Sequence, residues 1–146
     1  MKLEDICSRN PARIGRDQPL IQAAREMLER HIGALVVVDQ AHPQRPCGLL
    51  TDRDIVSGQL ARGADLNCLT VGEVMAGDLL ALPQNLELAE AIEALNRRGV
   101  RRAPVIDSEG CLVGVVSLDD LLPALAQELG LLARLMSTQA RSEGRR

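Results

Sequence analysis

The hydrophobic and polar residues of the chain follow a pattern that occurs twice. The segments 18–39 and 86–107 align without a gap at an offset of 68 residues. In each segment apolar residues recur every three or four positions, which predicts an amphipathic helix. A residue typical of an N-cap precedes each helix, Asp17 in the first copy and Asn85 in the second. Each helix is followed by a short β-branched run that ends in aspartate and predicts a strand. The chain is therefore predicted to contain an internal duplication.

Both copies continue with the same further elements. A turn and a second apolar strand follow, "CGLLT" in the first copy and "CLVGVVS" in the second, and another helix begins at once. Upstream, "LEDICSRNPARIG" and "VGEVMAGDLLALP" each predict a short helix and a short strand. The repeated unit is β-α-β-β-α, with repeat 1 at 1–68, repeat 2 at 69–129, and a helical extension with a polar tail at 130–146. A unit of this size buries too little surface to be comfortably stable alone, so we predict an α/β (α+β) fold in which the two repeats pack as a pseudo-twofold pair.

The motifs "GLLTDRD" and "GVVSLDD" occupy the same place at the end of the second strand in each copy. Thr51 and Asp54 are spaced as a capping box, in which a hydroxyl and a carboxylate satisfy the first backbone N–H groups of a helix. Ser117 and Asp120 have the same spacing. These groups also suit a ligand, because a carboxylate accepts hydrogen bonds from the vicinal hydroxyls of a ribose and a helix N-terminus attracts phosphate. The sequence leaves both interpretations open, and they can differ between the copies.

The overall composition narrows the possible function classes. A formal net charge of −3 lacks the basic field of general nucleic-acid-binding proteins, and there is no Phe, Tyr or Trp on which bases would stack. Any base that the chain binds must lie between aliphatic side chains. No apolar run approaches the roughly 20 residues of a membrane span, and the N-terminus lacks the apolar core of a signal peptide. We therefore predict a cytoplasmic protein that contacts neither nucleic acid nor membrane.

The cysteines and histidines do not form a recognisable reactive motif. The cysteines are scattered, with no C-x-x-C pair and no nearby histidine, which favours free thiols over a metal site. No phosphate-binding glycine-rich motif and no nucleophile motif occurs, so the sequence predicts a protein that is not an enzyme. A redox switch stays open as an alternative for the four cysteines, Cys7, Cys47, Cys68 and Cys111.

The repeated motifs resemble those of a known family. The strands "ALVVVD" and "APVID", followed by "GLLTDRD" and "GVVSLDD" in a duplicated β-α-β-β-α scaffold, resemble a tandem cystathionine-β-synthase (CBS) domain pair, or Bateman module. The resemblance covers residues 1 to about 129 and extends to small stand-alone bacterial CBS-pair proteins. It implies a regulatory module that binds AMP, ADP, ATP or another adenosyl ligand in the cleft between its repeats. It also implies a homodimer that controls an unknown effector protein, without a required cofactor.

The resemblance further implicates particular ligand-binding residues. Basic residues just before the second repeat's Asp-ending strand commonly meet phosphates in nucleotide-binding CBS pairs, which implicates Arg101 and Arg102. The first copy has Gly33 and Ala34 at these positions, so the motif of the second copy is the better candidate. Aliphatic residues around the second repeat's strands would form a slot for adenine. The predicted ligand-binding set is Ser117, Asp120, Arg101, Arg102, Val100, Ala103, Pro104, Ala81, Thr51 and Asp54.

The main alternative is an interaction or stress-response module without a small ligand, in which both capping boxes are purely structural. It predicts a cleft filled by side chains and a dimer that nucleotides do not change. The segment after repeat 2 bears on either interpretation, because its apolar residues are predicted to lengthen the last helix and to cover a dimer or partner surface. These residues are Leu129, Leu131, Leu132, Leu135 and Met136.

Overall fold

The computed structural model describes residues 1–63 and 65–144 of the chain. The mixed α/β fold with two repeated units is confirmed. The helices are α1 (Leu3–Ile6), α2 (Leu20–Arg30), α3 (Asp52–Arg62), α4 (Val71–Val74), α5 (Leu88–Arg98) and α6 (Leu118–Gly144). The strands are β1 (Ser8–Arg9), β2 (Arg13–Gly15), β3 (Ala34–Asp39), β4 (His42–Thr51), β5 (Leu82–Pro83), β6 (Arg102–Ile106) and β7 (Leu112–Ser117).

Two small sheets form the centre of the molecule. In the first, β2 lies parallel to β3 and β3 pairs antiparallel with β4. In the second, β5 lies parallel to β6 and β6 pairs antiparallel with β7. The central strands β3 and β6 are buried along most of their length, which explains their β-branched composition. Side chains from the two sheets meet in a shared apolar layer that contains Val36, Val38 and Leu112, and this layer joins the two repeats.

Each sheet is completed by a short segment from the other half of the sequence. Strand β1 joins the second sheet, where Ser8 pairs with Val115, and Ala76 forms the matching backbone bridge to Leu49 of the first sheet. The helices that precede these segments cross over with them. Helix α1 contributes a buried leucine to the core around the second sheet, and α4 contributes a buried valine to the core around the first. The two halves are therefore interlocked, and each depends on the other for a complete core.

Two glycines allow the crossing segments to lie against the sheets. A Cβ atom placed on Gly114 would collide with the carbonyl oxygen of Ser8. A Cβ atom on Gly48 would lie 2.5 Å from Sδ of Met75 and 3.3 Å from the carbonyl oxygen of Ala76. The glycine that opens each repeated motif therefore makes room for the chain's own backbone from the other half.

The predicted N-caps Asp17 and Asn85 are wrong, since α2 and α5 each begin three residues later. The crossing segments supply the physical reason. The first N–H group of α2 donates to the carbonyl of Leu69 at 2.7 Å, and the first N–H group of α5 donates to the carbonyl of Met1 at 3.0 Å. A backbone carbonyl from the crossing segment thus satisfies the first helical N–H group that a cap would otherwise serve.

Helix α6 is longer than the other described helices and leaves the body of the molecule. It buries Leu121 and Ala124 in the core around the second sheet. From residue 125 to residue 144 every described side chain is exposed. The predicted lengthening of the last helix is therefore observed. No helix in the described part of the chain combines the length and apolar character needed to cross a membrane.

Candidate functional site

Two clefts open where the repeats meet, and they correspond to each other at the offset of the repeats. We call them the Asp54 cleft and the Asp120 cleft, after the motif carboxylate that lines each one. Their volumes are about 440 Å³ and about 430 Å³. A small apolar pocket of about 60 Å³ continues the Asp54 cleft and shares part of its lining. Lining residues Ser8, Ala12, Arg30 and Ile32 of the Asp120 cleft match Ala76, Leu80, Arg98 and Val100 of the Asp54 cleft and its pocket.

The motif of the first repeat forms a complete capping box at the start of α3. The backbone N–H of Thr51 donates to Oδ2 of Asp54 at 2.9 Å, and the backbone N–H of Asp54 donates to Oγ1 of Thr51 at 3.1 Å. Both side chains are half-buried at the edge of the cleft. The structural interpretation of this motif is therefore satisfied. The cap uses only one carboxylate oxygen of Asp54 within the described residues, so the other oxygen is free to accept bonds from a ligand.

The motif of the second repeat has a different hydrogen-bond pattern. The backbone N–H and the hydroxyl of Ser117 both donate to Oδ2 of Asp120, at 2.9 Å and 3.1 Å. The Ser117 hydroxyl therefore donates its hydrogen bond to the carboxylate. The Thr51 hydroxyl, in contrast, accepts a hydrogen bond from the backbone N–H at the start of its helix. Oδ2 of Asp120 thus already accepts two hydrogen bonds from Ser117 in the absence of a ligand.

Each cleft combines the motif of one repeat with the strand start of the other. Val100 and Arg101 line the Asp54 cleft, and Pro104 lines the apolar pocket that continues it. Ser117 and Asp120 line the other cleft. The structure therefore separates Ser117 and Asp120 from three of the residues that the sequence grouped with them. This grouping failed because the repeats pack across the pseudo-twofold axis, so a motif faces the β-strand of the opposite repeat.

Two other predicted residues do not line either cleft. Ala103 is only 1% exposed and packs in the core around the second sheet. Its neighbours Arg102 and Pro104 point the opposite way, as expected from the alternation of side chains along a strand. Ala81 is half-buried and lines neither cleft, whereas the adjacent Leu80 lines the apolar pocket. The structure therefore places these two predicted residues outside both clefts, and the adenine slot itself stays a prediction.

Sequence reasoning missed the part of the lining that comes from the crossing segments and from β4. Leu49 lines both clefts, and Ala76 lines the Asp54 cleft. Ser8 and Asn10 line the Asp120 cleft. The signal that could have located them is the glycine of each motif, since a strand glycine indicates close approach of another backbone segment.

Arginine side chains distinguish the two clefts. Arg101 lines the Asp54 cleft alone, and Arg102 lines both clefts. Within the described residues neither guanidinium donates a hydrogen bond or forms an ion pair. Arg98, at the rim of the apolar pocket, is already engaged by Asp78, with 2.7 Å to its carbonyl oxygen and 3.1 Å to Oδ2. The Asp120 cleft is lined by Arg102 together with Arg9, which donates to the carbonyl of Glu4, and Arg30, which pairs with Glu26. Arg101 is thus the arginine that the Asp54 cleft has in addition to the shared Arg102 and its own Arg53.

Gly33 lies beside the guanidinium of Arg102 and the carboxylate of Asp52. A Cβ atom placed on Gly33 would be 3.8 Å from Nη1 of Arg102 and 3.3 Å from Oδ2 of Asp52. Arg101 and Arg102 occupy the positions that match Gly33 and Ala34 of the first repeat. The second repeat therefore supplies an arginine that reaches across the pseudo-twofold axis to Gly33 of the first repeat.

The cysteines differ in burial, and all four are free thiols. Burial raises the pKa of the Cys7 thiol, an effect that the positive charge of Arg9 opposes. Burial likewise raises the pKa of the Cys47 thiol, opposed by Arg16. Cys68, by contrast, is exposed. A raised pKa lowers the fraction of thiolate, which is the reactive form, at any pH below it.

We expect Cys68 to react with iodoacetamide at pH 8 several-fold faster than Cys7 and Cys47. Accessibility and the thiolate fraction both favour the exposed cysteine, and the difference should narrow as the pH rises through the raised pKa values. Peptide mass spectrometry at timed intervals measures the three rates, and the urea-unfolded chain serves as the control in which they should converge. Equal rates in the folded protein would contradict this assignment.

Comparison with known proteins identifies the scaffold that carries these clefts. Residues 3–60 and 71–127 each match the model of the CBS domain. The chain belongs to the CBS domain family. The match covers both repeats, so the molecule is a tandem CBS pair, as the motifs indicated. The matched residues end before most of the exposed part of α6.

Several curated relatives share both repeats of this CBS pair. Hypoxic response protein 1 of Mycobacterium tuberculosis is 38% identical over 120 residues, which cover 80% of each chain. The CBS domain-containing protein YhcV of Bacillus subtilis is 34% identical over 119 residues, covering 82% of this chain and 81% of YhcV. Other relatives are longer: the chain spans only 51% of protein MK0525 of Methanopyrus kandleri and 62% of a 17.7 kDa protein of Acidianus ambivalens.

Solved structures have the same fold. The crystal structure of hypoxic response protein I with two coordinated zinc ions has a TM-score of 0.76 at 34% identity, over 85% of this chain and 98% of that chain. In residues 1–63 and 65–144 of the present chain, no three His, Cys, Asp or Glu side chains cluster closely enough to hold a metal ion.

Two more distant CBS structures were solved with adenosyl ligands. The CBS pair of protein MJ0100, in complex with 5′-methylthioadenosine and S-adenosyl-L-methionine, has a TM-score of 0.75 at 20% identity, over 88% of this chain and 98% of that one. CBSX2 in complex with AMP has a TM-score of 0.73 at 21% identity, over 86% of this chain and 96% of CBSX2. At these sequence identities the similarity shows a shared fold only.

Proposed function

We propose that this CBS pair is a regulatory module that binds an adenosine phosphate in the Asp54 cleft. The observation that carries the proposal is that Asp54, Arg101 and Arg102 line one cleft of about 440 Å³. A carboxylate and two guanidinium groups facing the same space match a ribose joined to a phosphate. The sequence favoured Ser117 and Asp120 because of these arginines, whereas Arg101 lines only the Asp54 cleft and Arg102 lines both clefts.

The carboxylate end of the cleft suits a ribose. Oδ2 of Asp54 is held by the backbone N–H of Thr51 at 2.9 Å, which fixes the orientation of the carboxylate. Its second oxygen can then accept hydrogen bonds from the vicinal 2′- and 3′-hydroxyls. In this arrangement the capping interaction orients the ligand-binding group, so the structural and the functional interpretation of the motif are compatible.

The basic end suits a phosphate. Arg102 is half-buried and Arg101 is exposed, and each offers a planar set of N–H donors that matches phosphate oxygens. The N-terminus of α3 adds a positive dipole end on the same side of the cleft, where Asp52 and Arg53 also line it. The opposite charges of these two residues leave the arginines at 101 and 102 as the main source of attraction for an anion.

The adenine ring would lie against the mouth of the apolar pocket that continues the cleft, because the pocket, at about 60 Å³, is too small to enclose a purine. Leu79, Leu80 and Pro104 line this pocket together with Val100. They provide flat aliphatic surfaces on which a purine can lie, in a chain that has no aromatic residue. CBS pairs of the same fold that were solved with AMP or S-adenosyl-L-methionine are consistent with this ligand class, although the proposal rests on the cleft.

Calorimetric titration with AMP, ADP, ATP, S-adenosyl-L-methionine and NAD tests this proposal. We expect one of these ligands to bind, and we expect Asp54→Ala to weaken its binding at least tenfold. Asp120→Ala is the matched control, because it removes the corresponding cap and thus carries a similar stability cost while leaving the Asp54 cleft intact. Absence of binding by all five ligands at millimolar concentration would refute nucleotide binding. Loss of binding in Asp120→Ala alone would move the site to the other cleft.

A second candidate function is a ligand-free interaction module. The closed capping box of Thr51 and Asp54 favours it, because the motif is satisfied without a ligand. In both cases the proposed role is regulatory and not catalytic, carried out as a homodimer that signals to an effector protein. Exposed apolar side chains on α5 and α6, including Ile92, Leu122 and Leu125, supply the surface for such a dimer.

A further inference from the structure

The end of α6 is an apolar helix that lies outside the folded body. The CBS match ends at residue 127, and the helix continues to Gly144. Every described side chain after Ala124 is exposed. Most of the stability of a helix in a protein comes from packing of its apolar face, and exposed apolar side chains mark an interaction surface. This part of α6 therefore needs a partner that covers it.

Six of the exposed apolar residues of α6 follow a heptad spacing, whereas Leu131 and Leu135 lie outside it. The separations of these six residues alternate between four and three positions from residue 118 to residue 136, which is the a/d pattern of a two-helix seam. Their exposed fractions range from 37% at Leu118 to 72% at Met136. We call this set the α6 seam, and it consists of Leu118, Leu122, Leu125, Leu129, Leu132 and Met136.

The flanks of the α6 seam suit close packing against another helix. Ala126 and Ala133 each follow a seam residue directly and are seven positions apart, where small side chains let a second helix approach. None of the six seam positions is charged. The polar side of the helix carries both signs, with Glu128 and Arg134 among its residues. Helices that lie on membranes instead carry mainly Lys and Arg on the polar side, so a lipid surface is disfavoured.

The α6 seam is continuous with the apolar surface of the folded body. A groove of about 370 Å³ between α5 and α6 is lined by Ile92 and Val100 as well as by the first three seam residues. The seam is about 27 Å long at 1.5 Å per residue, and with a helix width of about 10 Å its footprint is on the order of 300 Å². A stable protein interface needs about 800 Å² on each partner. The seam and the groove surface must therefore act together.

We propose that the α6 seam packs against the α6 seam of a second copy of this chain. A heptad seam requires a partner helix with the same spacing of apolar knobs and holes, and a second copy supplies that spacing by identity. This inference rests on the proposed homodimer and extends it, because it assigns part of the interface to residues beyond the family match. The seam strengthens a dimer to which the body surface also contributes.

Sedimentation equilibrium of the full chain tests the inference with a matched pair of variants. Leu132 is 59% exposed and lies on the seam, whereas its neighbour Leu131 is 58% exposed and lies off it. We expect Leu132→Glu to raise the dimer dissociation constant at least tenfold, and Leu131→Glu to change it less than threefold. Met136→Glu, at another exposed seam position, provides a second variant, and circular dichroism verifies that each variant is folded.

Three results would overturn the inference. Equal effects of Leu131→Glu and Leu132→Glu would show that general apolar character matters and not the seam. A dimer unaffected by both seam variants would leave the homodimer intact while removing the seam from it. A wild-type monomer would remove both the seam pairing and the homodimer, and flotation of that monomer with phosphatidylserine-containing vesicles would identify a lipid surface as the occupant. Nucleotide titration is a separate readout, so failure of ligand binding is distinguishable from each of these results.

Discussion

Replacing Arg102 with alanine should weaken adenosine-phosphate binding by about 10- to 100-fold, the value of one to two charge-assisted hydrogen bonds. Arg102 is the predicted phosphate ligand that lines both clefts. It is half-buried, and it has no protein partner among the described residues that could compensate for its charge. The loss should therefore appear for a ligand in either cleft. Isothermal titration with the ligand identified in the nucleotide screen measures the effect.

The matched control for this variant is Arg97→Ala. Arg97 lies near the C-terminal end of α5, four residues before Arg101, but its side chain is 72% exposed and pairs with Glu93. Removing it changes the net charge by the same amount as Arg102→Ala and leaves the clefts unchanged. We expect an affinity within about twofold of the wild-type value, since an exposed pair contributes little. Equal losses in the two variants would mean that net charge, and not Arg102 itself, governs binding.

Replacing Gly114 with alanine should lower the free energy of unfolding by about 1–3 kcal/mol, the usual cost of overpacking. The added methyl group would collide with the carbonyl oxygen of Ser8, which belongs to the crossing strand β1. A backbone atom held in a strand pair cannot move aside without breaking that pairing. Urea unfolding followed by far-ultraviolet circular dichroism measures the change.

Two further glycine variants serve as comparisons for the loss of stability expected in Gly114→Ala. Gly48→Ala should lower the free energy of unfolding by less than Gly114→Ala does, because the atom nearest to the added methyl group is Sδ of Met75, at the flexible end of a side chain. Gly130→Ala should stabilise the protein by up to about 1 kcal/mol, because this helical glycine has nothing within 4 Å of an added Cβ and alanine has the higher helix propensity. If Gly114→Ala were no more destabilising than Gly48→Ala, the close approach at Ser8 would not be a constraint on the fold.

The repeated elements were predictable because their information is local. The 3.6-residue periodicity that precedes Leu35 and Ala103 defines the helices, and the β-branched runs define the central strands. Because the two copies align at an offset of 68 residues, an element predicted in one copy can be checked at the matching position of the other. The capping box of Thr51 and Asp54 also follows from spacing alone, and its two hydrogen bonds are present.

The composition of each cleft was not predictable because it depends on how the repeats are arranged in space. Sequence adjacency grouped Arg101 with Ser117, whereas the pseudo-twofold packing places Arg101 with Asp54. The N-cap error at Asp17 has the same origin, since a carbonyl from the crossing segment replaces the side-chain cap. Alternation along β6 could have separated Ala103 from Pro104, but only if it had been known which face of that strand packs into the core around the second sheet.

The interlocked strands have a consequence for the order in which the chain can fold. Strand β1 pairs with β7, so it leaves the ribosome long before its partner has been synthesised. The first sheet can be completed as soon as Ala76 emerges, whereas the second sheet must wait until Ser117 has emerged. During synthesis the N-terminal residues therefore belong to a half of the molecule that does not yet exist. Closing such a long loop is entropically costly and slow, which makes the docking of β1 onto β7 a natural final step of folding.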